Sequence, residues 1–345
     1  MASRGSRLDW LIFLALGFFW GSSYLFIKVG VDHGLQPFTL IMFRLLIGFL
    51  LLATVVGLAR EPLPRDPRMY GHLFVMGVIN IAIPFSLITF AEQTVDSSLA
   101  SVINGAVPLF VIVIAALFLK GETVTVNRLA GLLVGFVGVA ILVGLDVADL
   151  GSANAVGELA LIGATISYAV GNVYAKAHVH GLRPMIPAVF QVFFGLVVTG
   201  TLAFVTEHPL AVVPAPEALL AVVWLGVLGS GLAYLSYFRI LQHWGATRTS
   251  MVAYLLPVVG IALGALVLNE QVSISTLVGT LLVIGGIALV NARFWTRPLF
   301  ARRAPAGPAA DAAAQAGSSR HLARGRSPLP LGFPDGPGAD RVRRR

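Results

Sequence analysis

The stretch "WGSSYLFIK" (20–28) holds an indole, a phenol and an ammonium at Trp20, Tyr24 and Lys28. Spacing of i, i+4, i+8 puts all three on one face of a helix. "YAVGNVYAK" (168–176) repeats the scheme with Tyr168, Asn172 and Lys176. Such a stripe offers ring faces, hydrogen-bonding groups and a cation, which is the chemistry of holding a small polar or amphipathic solute. Ser23, with Ser22 and Gly21, supplies a hydroxyl or allows close helix approach. Asn80 and Asn104 each lie one turn before a proline, Pro84 and Pro108. Proline removes a backbone donor, so those turns combine a side-chain amide with a freed carbonyl. Tyr254, between Ser250 and Pro257, forms a comparable face, and Ser230 with Tyr234 another. The candidate substrate-binding residues are thus Trp20, Ser23, Tyr24, Asn80, Asn104, Tyr168, Asn172, Tyr234 and Tyr254. Pro84, Pro108 and Pro257 are the candidate hinges, and Pro187 also falls inside an apolar run.

Three charges are candidates for gating or coupling. Arg44 lies deep in a greasy stretch, where an unpaired arginine costs at least ~2.5 kcal/mol. It therefore needs an acceptor: Glu92, backbone carbonyls or a water-filled cavity. Glu92 can titrate and serve as a proton-coupling group, or salt-bridge Arg44. Lys28 can snorkel, face an anionic substrate group or pair with Glu92. Lys176, near a helix end on the cytoplasmic side, reads as a snorkelling lysine.

Catalysis finds no foothold. The sequence has no HExxH, no phosphate-binding glycine loop ending in Lys-Ser/Thr, no intramembrane aspartate pair and no cysteine. No enzyme activity, metal or cofactor is expected.

The elements that position these residues follow from composition. Of 345 residues, 57% are hydrophobic and 12% charged, with mean hydropathy +0.86. Soluble domains carry about 25% charged residues, so the chain belongs to the membrane class. Ten apolar segments near the ~20 residues a bilayer requires run over 9–29, 36–58, 70–91, 98–119, 126–146, 156–176, 185–206, 217–238, 248–268 and 273–293. Loops with Arg60, Arg65 and Arg68, with Lys120 and Arg128, with Lys176 and Arg183, and with Arg239 and Arg248 alternate with loops carrying Asp32, Asp96, Asp146, Asp149, Glu207 and Glu270. By the positive-inside rule both termini are cytoplasmic, with Lys28 the one positive charge at an outer end.

The net charge of +8 resides in the tail. From Arg293 onward eleven Arg face three Asp, while the thirteen Lys/Arg and thirteen Asp/Glu of the body cancel. That placement fits an anionic lipid surface or topology, not nucleic acid. Residues 294–345, rich in Arg, Pro, Ala and Gly, are expected to be disordered and cytoplasmic, and residues 1–8 to form a cytoplasmic stub.

The two halves, 9–146 and 156–293, are weakly self-similar. "ASVINGAVPLFVIVIAALFLKGE" (100–122) echoes "TSMVAYLLPVVGIALGALVLNE" (249–270), with Ser101 meeting Ser250, Pro108 meeting Pro257 and Glu122 meeting Glu270. Arg44 meets Gln191, so the repeat does not demand a charge there. Glu122 and Glu270 precede the fifth and tenth spans, where negative charge complements a helix N-terminus. Five spans per half, an odd number, invert the second half, an arrangement of transporters with a mid-membrane site. GxxxG spacings at Gly17–Gly21, Gly131–Gly135 and Gly260–Gly264 read as helix contacts.

The chain resembles the EamA-type transporters of the drug/metabolite transporter superfamily over about residues 9–293. The resemblance rests on "WGSSYLFIK", on Arg44 after "PFTLIMF", on "AEQTVDSSLASVINGAVPLF", and on "LFLKGE" and "LVLNE", each followed by a glycine-rich helix. It implies a ten-helix inverted-repeat carrier, often an exporter, of amino acids, metabolites or drugs. The function expected is secondary transport of a small metabolite, in a cell (cytoplasmic or inner) membrane, around a cavity lined by spans 1, 3, 4, 6, 8 and 9. Alternatives are a multidrug or organic-cation exporter, a passive facilitator and, least favoured, an intramembrane enzyme. Expected partners are the solute, the bilayer, and protons or another coupling ion, in a monomer or homodimer that binds no nucleic acid.

Overall fold

The computed structural model describes residues 6–119, 125–143, 152–179, 181–211 and 213–292. Lys120, Glu122, Asp146, Asp149 and the arginine-rich tail lie outside them. Among the described residues ten helices are long and apolar enough to cross a membrane. They are α1 (Arg7–Asp32), α2 (Pro37–Leu58), α3 (Pro67–Ala91), α4 (Ser97–Phe118), α5 (Val126–Val143), α6 (Ala153–His178), α7 (Met185–Thr206), α8 (Pro216–Trp244), α9 (Ser250–Val267) and α10 (Ile274–Asn291). The starts follow local chemistry. Ser6 and Asp9 form a reciprocal capping box on α1, Ser152 caps α6 and Ser273 caps α10, each satisfying N–H groups that have no intrahelical partner. Pro37, Pro67 and Pro216 occupy the first helical position, where the missing N–H costs nothing.

Four spans are irregular. In α3 a π-helical segment, Val78–Ala82, precedes regular helix from Ile83, with Pro84 in its first turn. In α4 the ladder breaks at Ala106 and resumes at Val107, again with the proline, Pro108, in the first turn. α9 opens as 3₁₀ helix over Ser250–Tyr254 and becomes regular at Leu255, just before Pro257. In α8 the segment Leu225–Leu232 is π-helical with no proline present. Pro187 is the third residue of α7 and interrupts nothing, contrary to the sequence reading.

Between helices in lipid there is little hydrophobic drive, so close packing depends on small residues. The longest contact joins α5 to α10. A Cβ built on Gly131 would fall 2.5 Å from the Gly286 carbonyl oxygen, and one on Gly138 2.8 Å from that of Gly279. The Gly131–Gly135 spacing is therefore spent within the chain. Gly17 meets Leu255 and Gly21 meets Val259, joining α1 to α9, while Gly260 meets Ser101 on α4. α1 packs on α8 and α9, and α6 on α3 and α4; α2 packs on α8, and α7 on α3. α2–α7, α4–α9 and α5–α10 are the other extensive contacts. Exchanging helices 1–5 for 6–10 maps these extensive contacts onto themselves, while the lesser α1–α4 and α4–α10 contacts are not matched.

Candidate functional site

Arg44 lies two turns into α2 and is 4% exposed. Its Nε donates to Ser230 Oγ at 3.1 Å, and its guanidinium carbon sits 4.2 Å from the centre of the Phe85 ring. The first contact is made by the irregular part of α8. Gly48 lets that segment approach α2, since a Cβ there would lie 2.7 Å from Ser230 Cβ. Gly226 lies against the Arg44 carbonyl oxygen, and a Cβ on Gly229 would fall 2.8 Å from Ser23 Oγ and 3.5 Å from an Arg44 terminal nitrogen. The second contact comes from α3 just past its own π segment, a guanidinium-over-ring arrangement that is attractive in a dry setting. Among the described residues no carboxylate lies within salt-bridge distance of Arg44. The expected Arg44–Glu92 bridge is thus absent. Glu92 stands at the end of α3, whereas Arg44 sits about two turns in from the start of α2.

Tyr24, Tyr168 and Tyr234 bring phenols from α1, α6 and α8 within electrostatic reach of Arg44. Tyr24 and Tyr234 likewise reach Tyr168. Among the described residues none of the three hydroxyls makes a hydrogen bond within the protein. Trp20 extends the group, its ring 6.2 Å from Tyr234 and 5.5 Å from Tyr237. Four helices thus surround one guanidinium with ring faces and free hydroxyls. None of the three hydroxyl oxygens is among the fully buried unpartnered atoms, so a cation and open donors stand together and can take up a polar, negatively charged group.

The other candidate residues are placed differently. Ser23 donates back to the Phe19 carbonyl at 2.9 Å. Asn80, in the α3 π segment, packs against Gly171 of α6, and its carbonyl oxygen is buried without a partner. Asn104 donates to the Ala100 carbonyl at 3.2 Å and leaves its own Oδ1 buried and unpartnered. Asn172 is exposed and donates to the Tyr168 carbonyl, so it does not join the central group. Tyr254 accepts from Asn291 Nδ2 at 3.0 Å, which ties it to α10.

The charged end of the bundle also departs from expectation. Lys28 Nζ donates to the Glu92 backbone carbonyl at 2.8 Å and lies 3.4 Å from Asp32 Oδ1; it does not pair with the Glu92 side chain. Glu270 does not serve α10, whose cap is Ser273. Its carboxylate accepts from the Ser97 and Ser98 N–H groups at 2.8 and 2.9 Å, and from Ser98 Oγ, capping α4. Glu207 does the same for α2, accepting from the Phe38 and Thr39 N–H groups and Thr39 Oγ1.

Sequence reading missed Phe85 and gave Ser230 too small a part. The one signal available was the glycine-rich run "GVLGSGL", which fails to say that the helix widens there. It also missed a cluster at the opposite end, where His72 Nδ1 lies 2.7 Å from the Tyr174 hydroxyl and the His72 and His178 rings stack at 5.2 Å.

Comparison with known proteins agrees with this architecture. A solved crystal structure covers 83% of the chain and 96% of its own length at a TM-score of 0.59 and 23% identity, a likeness of fold. The uncharacterized transporter YoaV of Bacillus subtilis is 27% identical over 81% of this chain and 94% of its own. The uncharacterized inner membrane transporter YedA of Escherichia coli is 28% identical over 75% and 82%. A chloroplastic WAT1-related protein of Arabidopsis thaliana is 26% identical over 84% and 70%. The model of the EamA-like transporter family matches twice, over residues 9–144 and 155–292, one copy to each half. With both five-helix halves matched, this multi-pass membrane protein belongs to the EamA-like transporter family.

Proposed function

We propose that the protein is a secondary active exporter of a small carboxylate-bearing metabolite, such as an amino acid or a related compound, in the cytoplasmic membrane. It works by alternating access, as two inverted five-helix repeats with both termini cytoplasmic. The pairing scheme that survives exchange of the halves, and the odd number of spans in each, support that mechanism. Glycine contacts at the helix crossings and the irregular turns of α3, α4, α8 and α9 would let the spans around Arg44 re-pack.

The observation that carries the substrate class is Arg44: a buried guanidinium with one hydroxyl and one ring for partners, facing three unbonded phenols. A carboxylate fits a guanidinium through two parallel hydrogen bonds, and the phenols would donate to it or to an adjoining polar group. Trp20 and Tyr237 would bear on the substrate's apolar body.

Thermal unfolding of the purified protein against amino acids, organic acids, nucleosides and organic cations tests this. A ligand at 100 times its dissociation constant stabilises the folded state by ~2.7 kcal/mol. Carboxylate-bearing solutes should raise the melting temperature, and Arg44→Gln should abolish the rise. A rise with organic cations alone, unaltered in Arg44→Gln, would overturn the assignment and favour a drug exporter built on the aromatic side chains. Saturable flux with trans-stimulation in liposomes separates a carrier from a passive facilitator.

A further inference from the structure

Glu92 stands apart from every other carboxylate described. It is 0% exposed, and neither side-chain oxygen has a hydrogen-bond partner among the described residues. Thr89 Oγ1, one turn earlier, and Ser97 Oγ, at the start of α4, are likewise buried and unpartnered. Glu207 and Glu270, at the same end of the bundle, are each fully used as helix caps.

The charged and titratable groups within electrostatic reach of Glu92 are Lys28 and Tyr24 on α1, Arg44 on α2 and Glu270 in the α9–α10 connection. Asp32 lies beside Lys28, and Asp96 is within reach of Lys28 and Glu270; α6, which packs on this end of α3 through Gly157, carries Glu158 next to that contact. Lys28 touches Glu92 through the main chain: its ammonium is occupied by the Glu92 backbone carbonyl and by Asp32. An ionised carboxylate buried without a partner is costly, and such a group takes up a proton instead. Asp32, with its side chain 46% exposed, can be released to water at little cost. The ammonium sits on the main chain of the very residue whose carboxyl lacks a partner, so a small swing of a four-carbon side chain would carry it there.

We propose that Glu92 is a proton-binding site of the transport cycle, loaded in this conformation and emptied when Lys28 moves from Asp32 onto the carboxyl. The proton leaves to water, Lys28 remains an ammonium throughout, and the O–H bond is replaced by an ion pair. Use of the proton in coupling rests on the transport function proposed above; its binding at Glu92 does not.

Infrared titration of the full-length protein in lipid nanodiscs reads the site directly, with protons as the only ligand. At neutral pH the wild type should show the carbonyl stretch of a protonated carboxylic acid. Glu92→Gln should lose it, while Asp96→Asn should keep it. Removing the neighbouring positive charge in Lys28→Ala should move the titration midpoint to higher pH, and removing the negative charge in Glu270→Gln should move it lower. Wild-type and Glu92→Gln spectra that superimpose at all pH values would overturn the proposal. So would a band that never titrates and ignores both neighbours, which marks a carboxyl that is only structural. Because the neighbour variants keep Glu92 itself, they decide the matter even if Glu92→Gln folds poorly.

Liposomes with a radiolabelled amino-acid mixture then test coupling. Accumulation driven by a pH gradient should be lost in Glu92→Gln while exchange stays measurable; equal loss of both would refute the coupling role. Failure of the wild type to exchange the mixture counts against the proposed substrate class alone, since the infrared titration still decides the proton site.

Discussion

An arginine two turns inside a membrane span must recover the cost of leaving water, and at Arg44 a hydroxyl and a ring face do so. Depth alone marks this residue in the sequence, because each residue of helix adds 1.5 Å and seven separate Arg44 from the start of α2. Its partner is not legible. Ser230 reaches it only because α8 widens into a π segment and Gly48 admits that segment to contact; neither event has a periodic signature. The pairing with Glu92 was the simplest expectation from charge, and it fails because the two residues end up at different depths. The hydrogen bond to a charged group makes a prediction at this scale. Ser230→Ala leaves the guanidinium with only the Phe85 ring, and should cost about 1.5–3 kcal/mol of stability. Detergent-induced unfolding of the variant measures it, and an unchanged curve would show that Arg44 has another partner.

The helices themselves were largely readable, with boundaries within a few residues, since ten apolar runs of bilayer length admit few alternatives. Irregularity was readable where proline announced it, in α3, α4 and α9, and invisible in α8. Caps supplied by distant residues were also invisible. Glu207 directly follows α7 and Glu270 stands just before α10 in sequence, yet they cap α2 and α4 about 170 residues away. Each carboxylate satisfies two N–H groups and a hydroxyl at the positive end of a helix dipole. Replacing either by alanine should therefore cost about 0.5–2 kcal/mol. The two sites share no partner, so the double variant should show the sum of the single losses to within ~0.5 kcal/mol. A double loss far short of that sum would mean that the α2 and α4 caps act as one unit, which the separate bonding of the two carboxylates argues against.

At the scale of the whole molecule the repeat makes its own demand. If all five spans of each half cross the membrane, as the proposed inverted repeat requires, corresponding loops open on opposite sides. The α2–α3 connection, with Arg65, and the α7–α8 connection, with His208, are such a pair, and both residues are exposed. The proposed topology predicts their sides from charge: arginines crowd the first loop and Glu207 marks the second, so Arg65 is expected in the cytoplasm and His208 outside. The absence of cysteine from the chain makes this simple to test. In intact cells His208→Cys should react with a membrane-impermeant maleimide, and Arg65→Cys should react only after permeabilisation. His33→Cys, in the α1–α2 connection, should follow His208→Cys, and Gln242→Cys, near the end of α8, should follow Arg65→Cys. The reverse pattern at all four positions would flip the protein in the membrane and leave the inverted repeat intact. Labelling of Arg65→Cys and His208→Cys from the same side would remove the inversion, and with it the symmetry by which one half could open as the other closes.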